Sequence, residues 1–148
     1  MVRSSAGLDP ATSLNLDEMA RHVRDALPHL HDASYLRRHA LVALLDDPHA
    51  RDAGAQVRAR IVEAIESLRP PAATPPDSSP WHRYWSLRLR YLDGLDAARV
   101  ASTLAIGERH ERRWHHEAAE ALADALRERA LKHAEESPAL PALAAEAA

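Results

Sequence analysis

Residues Leu87–Leu122 read LRLRYLDGLDAARVASTLAIGERHERRWHHEAAEAL, and this stretch decides the fold. A short apolar helix ends in Asp93-Gly94-Leu95, and a second helix carries Val100, Ala101 and Leu104. A tight turn at Ala105-Ile106-Gly107 then opens a third helix, dense in Arg and His. Apolar residues recur at helical spacing on both sides of the turn, so the pattern describes helices packed on one another.

On the N-terminal side, residues 70–80, PPAATPPDSSP, hold five of the ten prolines. No helix crosses such a run, because each proline removes an N–H donor and obstructs the turn before it. The run reads either as an extended linker or as an ordered wrap between packed halves. Before it, Leu16, Met19, Ala20, Val23, Leu27 and Leu30 mark a first helix, capped by Asn15 or Asp17 and ended or kinked by Pro28. Ser34 is expected to cap a second helix, with Tyr35, Leu36, Ala40, Leu41, Leu44 and Leu45 inward and Pro48 beyond its end. Val57, Ile61, Ala64, Ile65 and Leu68 mark a third, closed by Pro70-Pro71.

After the proline run, Trp81, Trp85, Leu89 and Leu92 recur at helical spacing and read as core rather than as base-stacking platforms. The last helix has the apolar stripe Trp114, Ala118, Ala121, Leu122, Ala125 and Leu126. No segment alternates convincingly with period two. The expected class is all-α: an N-terminal three-helix bundle plus a helix-turn-helix with a long C-terminal helix. The expected divisions are a disordered 1–13, a bundle over 14–69, a Pro-rich linker over 70–80, a helix-turn-helix over 81–134 and a flexible tail over 135–148.

Composition narrows the functional classes. The chain has 148 residues, no Cys, no Phe and four Gly. Disulfides, thiolate-ligated metal sites and a glycine-rich phosphate loop are therefore excluded. The N-terminus lacks the apolar stretch of a signal peptide and no run is long enough to span a bilayer, so a cytoplasmic protein without a membrane partner is expected. The net charge is −3, yet residues 81–132 hold ten Arg/Lys against eight Asp/Glu, a balance of +2. Lys132 is the only lysine, so positive charge is delivered almost wholly by Arg, which suits bidentate contact with phosphate and guanine as well as ion pairs with carboxylates.

Residues from about 84 to 127 resemble region 4 of the sigma-70 family and the related helix-turn-helix of response regulators. Leu89-Arg90-Tyr91 matches the entry to the motif, and Gly94-Leu95-Asp96 matches its loop, with Asp96 as N-cap. Val100-Ala101, Leu104, Ile106 and Ala118 match its apolar and small positions. Three residues depart from the pattern. Ala105 stands where the family prefers Gly, Gly107 replaces the usual Ser cap, and Glu111 falls where a Val or Ile normally fills the core. A carboxylate there needs solvent or an Arg, and Arg99 and Arg88 are the expected partners. Upstream, LHDASYLRRHALVALL (Leu30–Leu45) is similar to a helical segment preceding such a motif in some bacterial regulators.

The resemblance implies a bacterial, DNA-binding transcription regulator, not an enzyme, whose third helix enters the major groove. By family position Arg109, His110, Arg112, Arg113 and His116 would contact double-stranded DNA. It also implies RNA polymerase or another protein as a further partner, and a homodimer through the C-terminal helix. Nothing resembles the other sigma regions, so a complete sigma factor is not expected. The alternative is an adaptor on the same scaffold that binds protein, with Glu108, Glu111 and Glu117 interleaved among the arginines.

No cofactor or metal is expected. His29, His31 and Asp32 form an H-x-H-D string similar to the HD phosphohydrolases. The further ligands that family needs are not supplied at a convincing spacing by His39, Asp46 or Asp47, and the step reads as a helix end. His110, His115 and His116 do not match H-E-x-x-H.

Overall fold

A computed structural model describes residues 15–45 and 52–136. The expected disordered 1–13, Asp46, Asp47, Pro48 and the tail from 137 lie outside the described residues. Among the described residues the fold is all-α, with seven α-helices and no strand.

Helix α1 (Leu16–Ala26) is capped by Asn15, whose side chain accepts from the Glu18 amide at 2.7 Å. Its row of Met19, Ala20, Val23 and Ala26 is buried, and Pro28 sits in a following 3₁₀ turn, Leu27–His29. The second helix differs from expectation in two ways. Asp32 rather than Ser34 caps it, accepting from the Tyr35 amide at 3.1 Å. The helix also breaks, giving α2 (Ala33–Arg37) and α3 (Leu41–Leu45).

His39 supplies the reason for the break. Its Nε2 donates to the Asp25 carboxylate on α1 at 2.9 Å, and its Nδ1 accepts from the Leu41 amide at 3.1 Å. A ring holding both partners withdraws that amide from the helical ladder, so the helix restarts at Leu41. The Tyr35 hydroxyl donates to the same carboxylate at 2.7 Å. This bond first, and that from His39 second, hold Asp25 below the usual carboxylate range.

Helix α4 (Ala53–Ser67) buries Val57, Ile61, Ala64 and Ile65, as its spacing predicts. It crosses α2 at Gly54, where a Cβ would overlap the Ala33 carbonyl oxygen, so only glycine permits the approach. The proline run that follows takes the form of an ordered wrap. Pro70 is buried, and turns close from the Thr74 amide to the Pro71 carbonyl and from the Ser78 amide to the Pro75 carbonyl. The Trp81 indole N–H donates to the Thr74 carbonyl at 3.1 Å. One hydrophobic core draws on both sides of the wrap, from Met19 and Val57 to Tyr84, Leu122 and Leu126. Trp81 and Trp85 pack half-buried against it.

Helix α5 (Ser79–Leu87) runs into a π-helical turn, Arg88–Leu92, in which the Asp93 amide reaches back to the Arg88 carbonyl at 3.0 Å. Gly94 at φ +78° turns the chain, and Asp96 caps α6 (Ala97–Thr103) by accepting from the Arg99 amide at 2.8 Å. Helix α7 (Glu108–Glu136) has 29 residues and receives α1, α3, α4, α5 and α6 along its length.

The turn between α6 and α7 closes with the Ala105 amide on the Ser102 carbonyl at 3.1 Å and the Ile106 amide on the Ala101 carbonyl at 2.9 Å. This paired closure requires a left-handed residue at its centre, and Ala105 supplies it at φ 58°. An L-residue with a Cβ is strained there by about 1 kcal/mol. Ala105→Gly is therefore expected to raise stability by up to about 0.5 kcal/mol, since relief of strain slightly exceeds the extra freedom of the unfolded chain. Urea unfolding reads this as a higher midpoint at unchanged slope; a lower midpoint would contradict it.

Candidate nucleic-acid interface

The start of α7 separates its residues by helical geometry. Arg109, Arg112, Arg113 and His116 follow an i, i+3, i+4, i+7 course and all are exposed; His110 is exposed on the flank. On the opposite side Glu111 and Ala118 are buried, and Trp114 and His115 are half-buried. The structure therefore brings the five expected contact residues to the outer side of one helix.

Their electrostatic states differ. Arg113 Nε lies 3.4 Å from Glu117, which also lies 4.0 Å from Arg83. His116 Nε2 lies 3.6 Å from Glu120. Arg109 and Arg112 meet no acidic side chain among the described residues. The exposed pairs are weak, contributing between zero and about 1 kcal/mol each, because water competes for both partners.

Beneath this face Glu111 is fully buried, at 0% exposure. The expected partners are not the ones it has. Ser86 Oγ donates to its Oε2 at 3.0 Å, and Arg90 Nη1 lies 3.6 Å from its Oε1. That second contact is an ion pair without a hydrogen bond, so Oε1 is left unsatisfied among the described residues. Arg99 is exposed on α6, while Arg88 bonds the Tyr84 hydroxyl at 2.9 Å and Glu66 at 3.3 Å. The signal lay in spacing along the preceding helix. Ser86 and Arg90 are four apart and meet Glu111; Tyr84 and Arg88 are four apart and meet Glu66.

His115 is the second polar group under the face. The Tyr91 hydroxyl and its Nε2 share a hydrogen bond of 2.6 Å, and the His31 Nε2 donates to the Tyr91 carbonyl at 3.0 Å. Burial first, then the charges of Arg90, His116 and Arg24, push the His115 pKa down to about 4, so the ring is neutral near pH 7. Burial also raises the Tyr91 phenol. Trp114 lies over the His82 ring at 5.5 Å between centroids.

The His31-Asp32 step serves structure: His31 ties to Tyr91, and Asp32 caps α2. Among the described residues no three His, Asp or Glu side chains are placed to hold a metal ion. An open groove of about 620 Å³ beside α1 is lined by His22, Asp25, Tyr35, Arg38 and His39, but the Asp25 carboxylate in it is already engaged by Tyr35 and His39. No helix among the described residues is long and apolar enough to cross a membrane. In comparisons with known proteins, no family model, curated protein or solved structure matches the chain.

Two predictions follow from the polar groups under the face. Arg90→Ala leaves a buried carboxylate without its cation and is expected to destabilise by about 2 kcal/mol or more, whereas Glu111→Leu removes the burden and stays within about 1 kcal/mol of wild type or exceeds it. Equal losses in the two variants by chemical denaturation would show that the pair is not the unit described. His115 gives a pH dependence. Its folded pKa lies below the unfolded value of 6.5, so its stabilising share is complete above that pH and is lost as pH falls toward about 4. His115→Gln is expected to flatten the decline of the melting temperature across that window.

Proposed function

We propose that this chain binds double-stranded DNA as a transcription regulator. In this reading α6, the turn at 104–107 and α7 act as a helix-turn-helix resembling region 4 of the sigma-70 family, with the first turns of α7 in the major groove. The observation that carries the reading is the pair Arg109 and Arg112. Both project from the exposed start of α7, and neither is neutralised by an acid among the described residues. A major groove about 12 Å wide admits one helix, and an Arg fork reaches guanine O6 and N7 or a phosphate. Arg113 and His116 reach the same face, and their weak surface pairs with Glu117 and Glu120 exchange readily for phosphate.

Glu117 and Glu120 also support a second reading, an adaptor whose mixed-sign face binds a protein such as RNA polymerase. A homodimer through α7 would use its exposed residues, since Ala118, Leu122, Leu126 and Ala130 are already buried within the chain.

The test is binding of the full chain to a random duplex between 50 and 200 mM salt. A DNA binder loses affinity steeply over that range through counterion release. The Arg109→Ala/Arg112→Ala double variant, shown to be folded by circular dichroism, is expected to lower the log–log salt slope by about 2. Absence of duplex binding, or affinity indifferent to salt, would leave the adaptor.

A further inference from the structure

We infer that α1 carries a flanking backbone contact: the Arg24 guanidinium grips a phosphate at the edge of the groove that α7 enters. This rests on the DNA-binding reading above and adds to it a residue outside the helix-turn-helix.

Helix α1 is fixed beside α7 rather than tethered near it. Met19, Ala20 and Val23 are buried in one cluster with Ala118, Leu122 and Leu126 of α7. At the end of this packing, His31 bonds the Tyr91 carbonyl and the Tyr91 hydroxyl bonds His115. The C-terminal end of α1, the π-turn and α7 therefore meet at one junction. Arg24, in the last turn of α1, is exposed and meets no acid among the described residues, while the neighbouring Asp25 is taken up by Tyr35 and His39.

Arg24 is close enough to His115 for its charge to act on that ring, as do the charges of Arg90 and His116. Arg90 and Arg24 are both positive, and Arg90 is answered by Glu111, whereas Arg24 is answered by no acid among the described residues. Gathered like charges repel, and nothing on the folded chain at this junction relieves Arg24; a polyanion laid against it does.

The spacing also suits DNA. Packed helices have axes about 8–10 Å apart, so a cation on the neighbour of a groove-bound helix falls near the phosphates that rim a groove about 12 Å wide. A helix anchored through its apolar row holds that cation at a constant offset, which is what a register-setting phosphate contact requires.

The experiment measures duplex affinity against salt for the full chain and three variants. Arg24→Ala is expected to lower the slope by about 1 and to weaken different duplex sequences equally, as loss of a phosphate contact does. Arg24→Lys keeps the charge and should retain most of the slope. Lys132→Ala removes one charge about 30 Å further along α7 and should leave it unchanged. An Arg24→Ala slope equal to wild type, with the Arg109→Ala/Arg112→Ala slope still reduced, overturns this inference and leaves the DNA reading standing. An equal effect from Lys132→Ala overturns it too, as a general charge effect. Failure of the wild-type chain to bind duplex removes both.

Discussion

The fold depends on one constraint, the burial of the small-residue stripe of α7 beneath the other helices. Ala118, Ala119, Leu122, Ala123, Leu126 and Ala130 are all buried, and four of these six are alanines. Alanine presents little bulk, so neighbouring backbones come close and dispersion contacts accumulate without large side chains. The chain has no Phe and so assembles its interior largely from Leu, Ile, Val and Ala. A single long helix that receives α1, α3, α4, α5 and α6 is a consistent answer to that composition. Along its length α7 keeps one side on the protein, from Glu111 to Ala130, and one side in solvent, from Arg109 and Arg112 to Glu128.

The acids within reach sort the arginines. Arg88 is drawn into a network with Tyr84 and Glu66 that joins α5 to α4. Arg90 lies over Glu111, and Arg129 reaches Glu63 across to α4. These hold elements together. Arg109 and Arg112 do not: they stand on the outer side of α7, and no acidic side chain among the described residues reaches them. The buried Glu111 reinforces the distinction, because it draws Arg90 inward and leaves the outer arginines to solvent. A Val in its place would need no cation, so the buried acid explains why Arg90 is turned to a structural task.

Much of the fold was legible. Apolar spacing located α1, α4, α5, α6 and α7, and the caps at Asn15 and Asp96 were readable from residue type alone. The left-handed turn was legible as a conflict: Ala105 stands where glycine is preferred, and its φ is indeed positive. The break between α2 and α3 was not legible. It depends on His39 finding Asp25 fourteen residues earlier, a contact that no local pattern encodes. The partners of Glu111 were missed for a related reason. Sequence distance does not say which of several arginines faces a buried acid, and only the pairing of Ser86 with Arg90 on one row of α5 and its π-turn distinguishes them. The five face residues were chosen by family position, and helical periodicity puts Arg109, Arg112, Arg113 and His116 on one face with His110 on its flank. Their differing pairings depend on which glutamates stand four residues beyond them.

The neutral state of His115 bears on how such a face can be charged without breaking the helix beneath it. The ring lies between the outer cations and the core, where a protonated imidazole would add a charge next to Arg90 and Arg24. By remaining neutral it shares a hydrogen bond with Tyr91 and ties α7 to the π-turn without adding repulsion. The backbone carbonyl of the same Tyr91 accepts from His31, which follows the 3₁₀ turn after α1. One uncharged imidazole thus joins α7 to the π-turn without placing a charge beside Arg90. Acidification charges that ring and weakens the link where α1, the π-turn and α7 meet, so the geometry of the face and the protonation of the residue under it are coupled. In the DNA reading, the relative placement of Arg24 and the α7 arginines rests on the apolar row of α1 buried with α7, and the Tyr91–His115 bond holds the π-turn beside them.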